Sequence, residues 1–203
     1  MSLQELEARV ASLFTVGDLP SIAPLLDEAE LEAPTAFESP AWPHALHMLA
    51  LMYSNRLEDA RFLYKRCPPQ VRDSQPQLQA ACRALQFLWQ RDYAGLWPLL
   101  RSGWDPHQAT LVRGIASNLR EHVLRLVATA YSTISLQALA GALGATLPEA
   151  QQEAAAHGWE LTNAPSGGAW VRIPPKEAAG DPVAPDAATL QRLASYVLHL
   201  EAA

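Results

Sequence analysis

Apolar side chains recur at steps of three and four along residues 2–131, and no run in that stretch alternates as a half-buried strand would. This periodicity commits the first two thirds of the chain to helices packed on helices. Leu78, Ala81, Cys82, Leu85, Leu88 and Trp89 form one stripe within 76–90. Trp42, Leu46, Leu49 and Tyr53 repeat the pattern earlier. Val112, Ile115, Ala116, Leu119, Val123, Leu126, Val127 and Ala130 extend it into one long helix or two in tandem. Asp18 with Pro20, Ser39 with Pro40 and Asp105 with Pro106 each set an oxygen-bearing cap before a proline, which reads as a helix start. The segments NRLEDARFLYKRCPP and QRDYAGLWPLLRSGW share an order of polar cap, small residue, aromatic, leucines and basic end. They read as members of a helical-hairpin array without a strict period.

The grammar changes after Ser132. STI is a short strand candidate, and Ser135 caps a helix striped by Leu136, Leu139, Ala140 and Leu143 that Gly144 ends. Thr146 and Glu149, at capping-box spacing, open a second helix that runs to Gly158. WELT and AWVRI flank the turn NAPSGG and read as a hairpin. Helix, helix, hairpin is the outline of a winged helix. Residues 174–186, rich in Pro, Gly and charge, read as a flexible linker. In the last segment Leu190, Leu193, Val197 and Leu200 form a narrow seam of the kind that packs on other helices. The expected fold is therefore mainly α: a helical-repeat array over 1–131, a winged helix over 132–173, a linker over 174–186 and a C-terminal helix over 187–203.

Charge argues against reading nucleic acid. The chain carries a net −6, whereas phosphate affinity comes from Lys and Arg displacing counterions. The winged-helix unit holds three glutamates, Glu149, Glu153 and Glu160, against the single Arg172, a net of −2. Its second helix offers Glu149, Gln151, Gln152, Glu153 and His157, and two of these repel phosphate. A protein-contact role is expected instead, with a winged-helix DNA-binding regulator as the lesser alternative. Trp170, Val171 and Ile173 on the last strand would offer an unpaired edge to another chain, although Trp159 and Trp170 read first as core residues of the small domain.

Chemistry-bearing motifs are sparse. His44 and His47 are spaced to share a helix face, but no third ligand accompanies them in the sequence, so no metal is expected. The sequence contains no P-loop, no G-x-G-x-x-G and no G-x-S-x-G, and no catalytic residue or cofactor is assigned. Arg56, Arg61, Lys65, Arg66 and Arg72 cluster in one region, and Arg113, Arg120 and Arg125 in another. Each cluster reads first as a solvated helix face and second as a contact for an acidic partner. Cys67 and Cys82 sit in helical patterns and are expected to pack as free thiols. No secretory leader or membrane-length apolar run is seen, so a soluble, intracellular protein is expected, and the lack of a catalytic motif reads as a non-enzyme.

The order of parts resembles the PCI family. More narrowly, ARFLYKRCPP, WQRDYAG, AYSTISLQALAGALG, GWEL and LQRLASYVLHLE are similar to the group that serves as subunit 8 of the COP9 signalosome. The resemblance implies a non-catalytic scaffold role in the hetero-oligomeric complex that removes Nedd8 from cullins and so regulates cullin-RING ubiquitin ligases. Hydrolysis there belongs to an MPN metalloprotease subunit. It further implies partners among the PCI and MPN subunits, with no direct nucleic acid and no membrane contact, and a location in cytoplasm and nucleus. The contact residues it suggests are the edge strand 169–173 and the seam Leu190, Leu193, Val197 and Leu200. Two sibling assemblies share the layout: the proteasome lid and eukaryotic translation initiation factor three.

Overall fold

The computed structural model describes residues 3–163, 168–174, 191 and 194. Met1–Ile173 form one compact unit and Pro174–Ala203 a second. Gln191 and Ala194 are helical and exposed, whereas Leu190, Leu193, Val197, Leu200 and residues 175–186 lie outside the described residues.

The first unit begins with nine helices among the described residues: α1 (Leu3–Val16), α2 (Ile22–Glu32), α3 (Pro34–Phe37), α4 (His44–Tyr53), α5 (Leu57–Arg66), α6 (Pro69–Ser74), α7 (Pro76–Gln90), α8 (Tyr93–Leu100) and α9 (Pro106–Ala130). The centre is α4, which is buried continuously from His44 to Met52. It packs against α2, α5, α7 and α9. A helix apolar on all sides requires neighbours on all sides, and HALHMLALMY meets that condition. The α5 helix is built the opposite way. Glu58 and Asp59 occupy its first turn and Lys65 and Arg66 its last, each sign placed against the matching end of the helix dipole, while Ala60 and Leu63 face inward.

The two similar segments occupy equivalent places. Each is the second helix of a hairpin, α4 with α5 and α7 with α8, and each is preceded by a left-handed residue, Asn55 at φ 58° and Arg91 at φ 57°. Asp92 then accepts a hydrogen bond from the Gly95 N–H at 3.1 Å to cap α8. The long stripe is one 25-residue helix, with Leu111 and Leu124 joining its buried face and Leu126 left exposed.

Of the three proline-marked starts, Pro106 alone stands at the first helical position. Ser39 Oγ accepts from the Ala41 N–H at 3.2 Å and stabilises a turn, so α4 begins only after Pro43. Likewise α2 begins at Ile22, beyond Pro20. Burial pushes the Cys67 thiol up to about 12 and also raises that of Cys82, and both are free.

The winged helix follows as β1 (Thr133–Ser135), α10 (Leu136–Leu143), α11 (Leu147–Ala156), β2 (Glu160–Asn163) and β3 (Ala169–Arg172). The strand order is β1-β3-β2, antiparallel throughout. This corrects one expectation: residues 169–173 are the centre of the sheet rather than its edge. Val171 stands opposite both Ile134 and Leu161, so aligning these three side chains requires β1 to return beside the hairpin. The outer strands are β1 and β2.

Candidate protein-contact surface

The winged helix is fixed to the helical array through the C-terminus of α10. Gly144 ends that helix at φ 59°, leaving its last carbonyls without helical partners. Trp97 Nε1 donates to the Ala142 carbonyl at 3.2 Å, Arg120 Nε donates to that of Leu143 at 3.2 Å, and Arg101 Nη2 donates to that of Gly144. The Arg120 guanidinium also lies 5.4 Å from the centre of the Trp97 ring. Two cations thus face the negative end of α10, and the indole closes the joint. A Cβ on Gly144 would come within 2.2 Å of Trp97, so close approach and backbone conformation both demand glycine there. Gly144 is legible in the sequence as a helix stop, whereas Arg120, exposed as expected of a solvated face, also donates into this joint. The missed signal was the need of the α10 carbonyls for donors from α8 and α9.

With α10 held inward, α11 and the sheet face outward. Ser135 Oγ accepts from the Ala138 N–H at 3.2 Å to start α10. Glu149 accepts from the Thr146 N–H at 2.8 Å to start α11, and that backbone bond holds the Glu149 carboxyl below its ordinary value. Only Ala150 and Ala154 of α11 are buried, leaving Glu149, Gln151, Gln152 and Glu153 in solvent. The charged side chains of α11 are the carboxylates Glu149 and Glu153, where a DNA-reading winged helix presents cations, and the cation beside them is Arg120 of α9.

Trp159 is buried, whereas Trp170 is 39 % exposed. Trp170 stands beside Ser135 and Thr162 in the sheet register. Val171 and Ile173 are buried and have little side-chain surface for a partner. Of the three strand residues suggested for contact, Trp170 alone is available. The outer backbone edges of the sheet belong to β1 and β2, not to β3.

His44 and His47 are fully buried and diverge. His44 Nε2 donates to the Phe37 carbonyl at 2.8 Å, and burial pushes its pKa down against the pull of that bond. His47 Nε2 donates to Asp27 Oδ1 at 2.9 Å. Asp27, Glu30 and His47 bring ligand atoms within 4.8 Å of one another, the closest approach to a metal set among the described residues. Their valences are already engaged. Asp27 Oδ2 accepts from Arg56 at 2.7 Å, and Glu30 is held by the Arg66 fork at 2.9 and 3.0 Å. Burial alone would raise the Asp27 carboxyl, but the bonds from His47 and Arg56 outweigh it and hold it below its ordinary value. The group is an ion-pair network tying α2 to α4 and α5.

Comparison with protein families matches residues 38–181 to the CSN8/PSMD8/EIF3K family, a span that opens just before α4 and contains the whole winged helix. The chain belongs to this family. It is 35 % identical over 161 residues to COP9 signalosome complex subunit 8 of Arabidopsis thaliana, covering 79 % of this chain and 80 % of that protein. It is 30 % identical over 175 residues to COP9 signalosome complex subunit 8 of Danio rerio, covering 85 % and 88 %. The protein of the same name in Xenopus laevis is 29 % identical over 178 residues, covering 86 % and 88 %. Helical hairpins ending in a winged helix are the PCI-type layout, and the CSN8/PSMD8/EIF3K match spans both parts and the Trp97–Gly144 joint between them.

Proposed function

We propose that this chain is a non-catalytic scaffold subunit of a COP9 signalosome. It contributes its winged helix and C-terminal seam to the assembly that removes Nedd8 from cullins, in cytoplasm and nucleus. The observation that carries this reading is the similarity over most of the chain to relatives named COP9 signalosome complex subunit 8. The geometry supports it: α11 presents Glu149 and Glu153 where a DNA reader presents cations, and the sheet keeps two outer strands available for pairing.

The winged helix and the helical array have separate tasks in this reading. The array is closed by its own ion pairs, and the α10 joint fixes the direction in which the sheet edges point. Partner contact then falls to Trp170, to the backbone of β1 and β2, and to the seam of Leu190, Leu193, Val197 and Leu200. Purification of the tagged protein at physiological salt, with sizing and mass spectrometry of what co-elutes, tests this. Co-elution with an MPN metalloprotease and cullin-deneddylating activity is expected. Co-elution with proteasome-lid or initiation-factor subunits instead would move the chain to a sibling complex.

A further inference from the structure

Beyond the winged helix, the array carries a cleft between α5 and α7, closed at one end by α6, of about 420 Å³. That volume lies within the ~300–1,000 Å³ range of clefts that hold sizeable ligands. Its wall carries three cations, Arg61, Lys65 and Arg72, and no carboxylate among the described residues. Its floor is Tyr64 and Leu85, with Trp89 at its rim. On a chain of net charge −6 this is a local reversal of sign.

The five basic residues that cluster in sequence divide into two sets. Arg56 and Arg66 are held by Asp27, Asp59 and Glu30, which accounts for them structurally. Arg61, Lys65 and Arg72 make no ion pair among the described residues. Arg61 lies 5.5 Å from the centre of the Trp89 ring and Arg72 5.5 Å from that of Tyr64, so these rings position the guanidinium groups without neutralising them. Arg72 Nε is buried with no hydrogen-bond partner within the chain. Trp89 remains 48 % exposed at the rim, an aromatic anchor of the sort that protein interfaces bury.

We propose that this cleft is a docking site for an acidic peptide segment of a partner protein. Its carboxylates meet Arg61, Lys65 and Arg72, and an apolar side chain beside them seats on Leu85 and Trp89. The apolar floor exceeds what an inorganic anion would cover. Single-stranded nucleic acid is the poorer match, because each ring already carries a guanidinium over one face and three cations are few for a phosphate backbone.

The test uses the full chain and a fluorescein-labelled octapeptide of six glutamates flanking a leucine–phenylalanine pair, read by fluorescence anisotropy. The expected result is salt-sensitive binding that weakens at least about tenfold in the double variant Arg61→Glu, Lys65→Glu. Both residues are exposed, so this variant keeps the fold. Binding should change less than about twofold in Arg113→Glu, Arg125→Glu, which alters the other basic cluster by the same charge. Equal loss in both double variants would reduce the effect to net charge and overturn the proposal, as would retention in the cleft variant or no binding at all. Tighter binding of a twelve-nucleotide polyuridine would assign the cleft to RNA, and displacement by inorganic phosphate alone would reduce it to an anion site. Each of these two results would also overturn the proposal.

Discussion

Helices α4 and α11 have the same length and opposite surroundings. Each spans ten residues, but α4 is buried over nine of them and α11 over two, both alanines. The polar groups differ in the same sense. His44 and His47 of α4 point at a carbonyl and a carboxylate inside the protein, whereas Glu149, Gln151, Gln152 and Glu153 of α11 point at solvent. One helix has its interactions completed within the chain. The other is held from beneath and left open above, which is what a rigidly mounted contact surface requires.

The contrast is broken most severely at α4. Leu49→Ala removes a fully buried side chain from the helix that touches four others, and should cost about 2–5 kcal/mol in urea unfolding. A loss below 1 kcal/mol would mean that α4 is not the organising element. Next comes the mounting. Gly144→Ala combines a left-handed backbone with a clash at Trp97 and should cost about 1–3 kcal/mol, accompanied by a change in Trp97 fluorescence. An unchanged emission spectrum would show that the joint tolerates a methyl group.

A smaller effect follows from the buried polar groups. The His44 pKa is depressed below its ordinary value of 6.5, so the unfolded state takes up the proton first. The stability this contributes is complete above pH 6.5 and lost as the pH falls through the folded value. Asp27, also depressed, adds a second loss as the pH falls below 3.8. Denaturation midpoints in a pH series should therefore decline on the acid side, and His44→Gln should flatten the upper limb. A parallel decline in that variant would assign the slope to other groups. The smallest effect belongs to α11: Gln151→Ala with Glu153→Ala should move stability by no more than about 0.5 kcal/mol, because neither side chain is packed.

Local signals in the sequence carried far where the physics was local. The stripes located α7 and α9, Ser135 and Gly144 bounded α10, and Thr146 with Glu149 opened α11, since caps and periodicity act within one turn. What was not legible was decided across the chain. The central place of β3 depends on β1, more than thirty residues away, arriving beside it. The sorting of Arg56 and Arg66 from Arg61, Lys65 and Arg72 depends on α2 bringing Asp27 and Glu30 within reach, and no spacing within the basic cluster encodes that. Trp159 and Trp170 looked alike as aromatic neighbours of a hairpin, yet the strand register buries Val171 beneath the sheet and leaves Trp170 exposed.

The claim that the winged helix is the contact surface is tested most directly by hydrogen–deuterium exchange of the chain alone and within the purified assembly. New protection is expected at the backbone amides of β1, β2 and α11, with α4 protected equally in both states. New protection confined to the helical array, with the winged helix exchanging as freely in the assembly as alone, would contradict it.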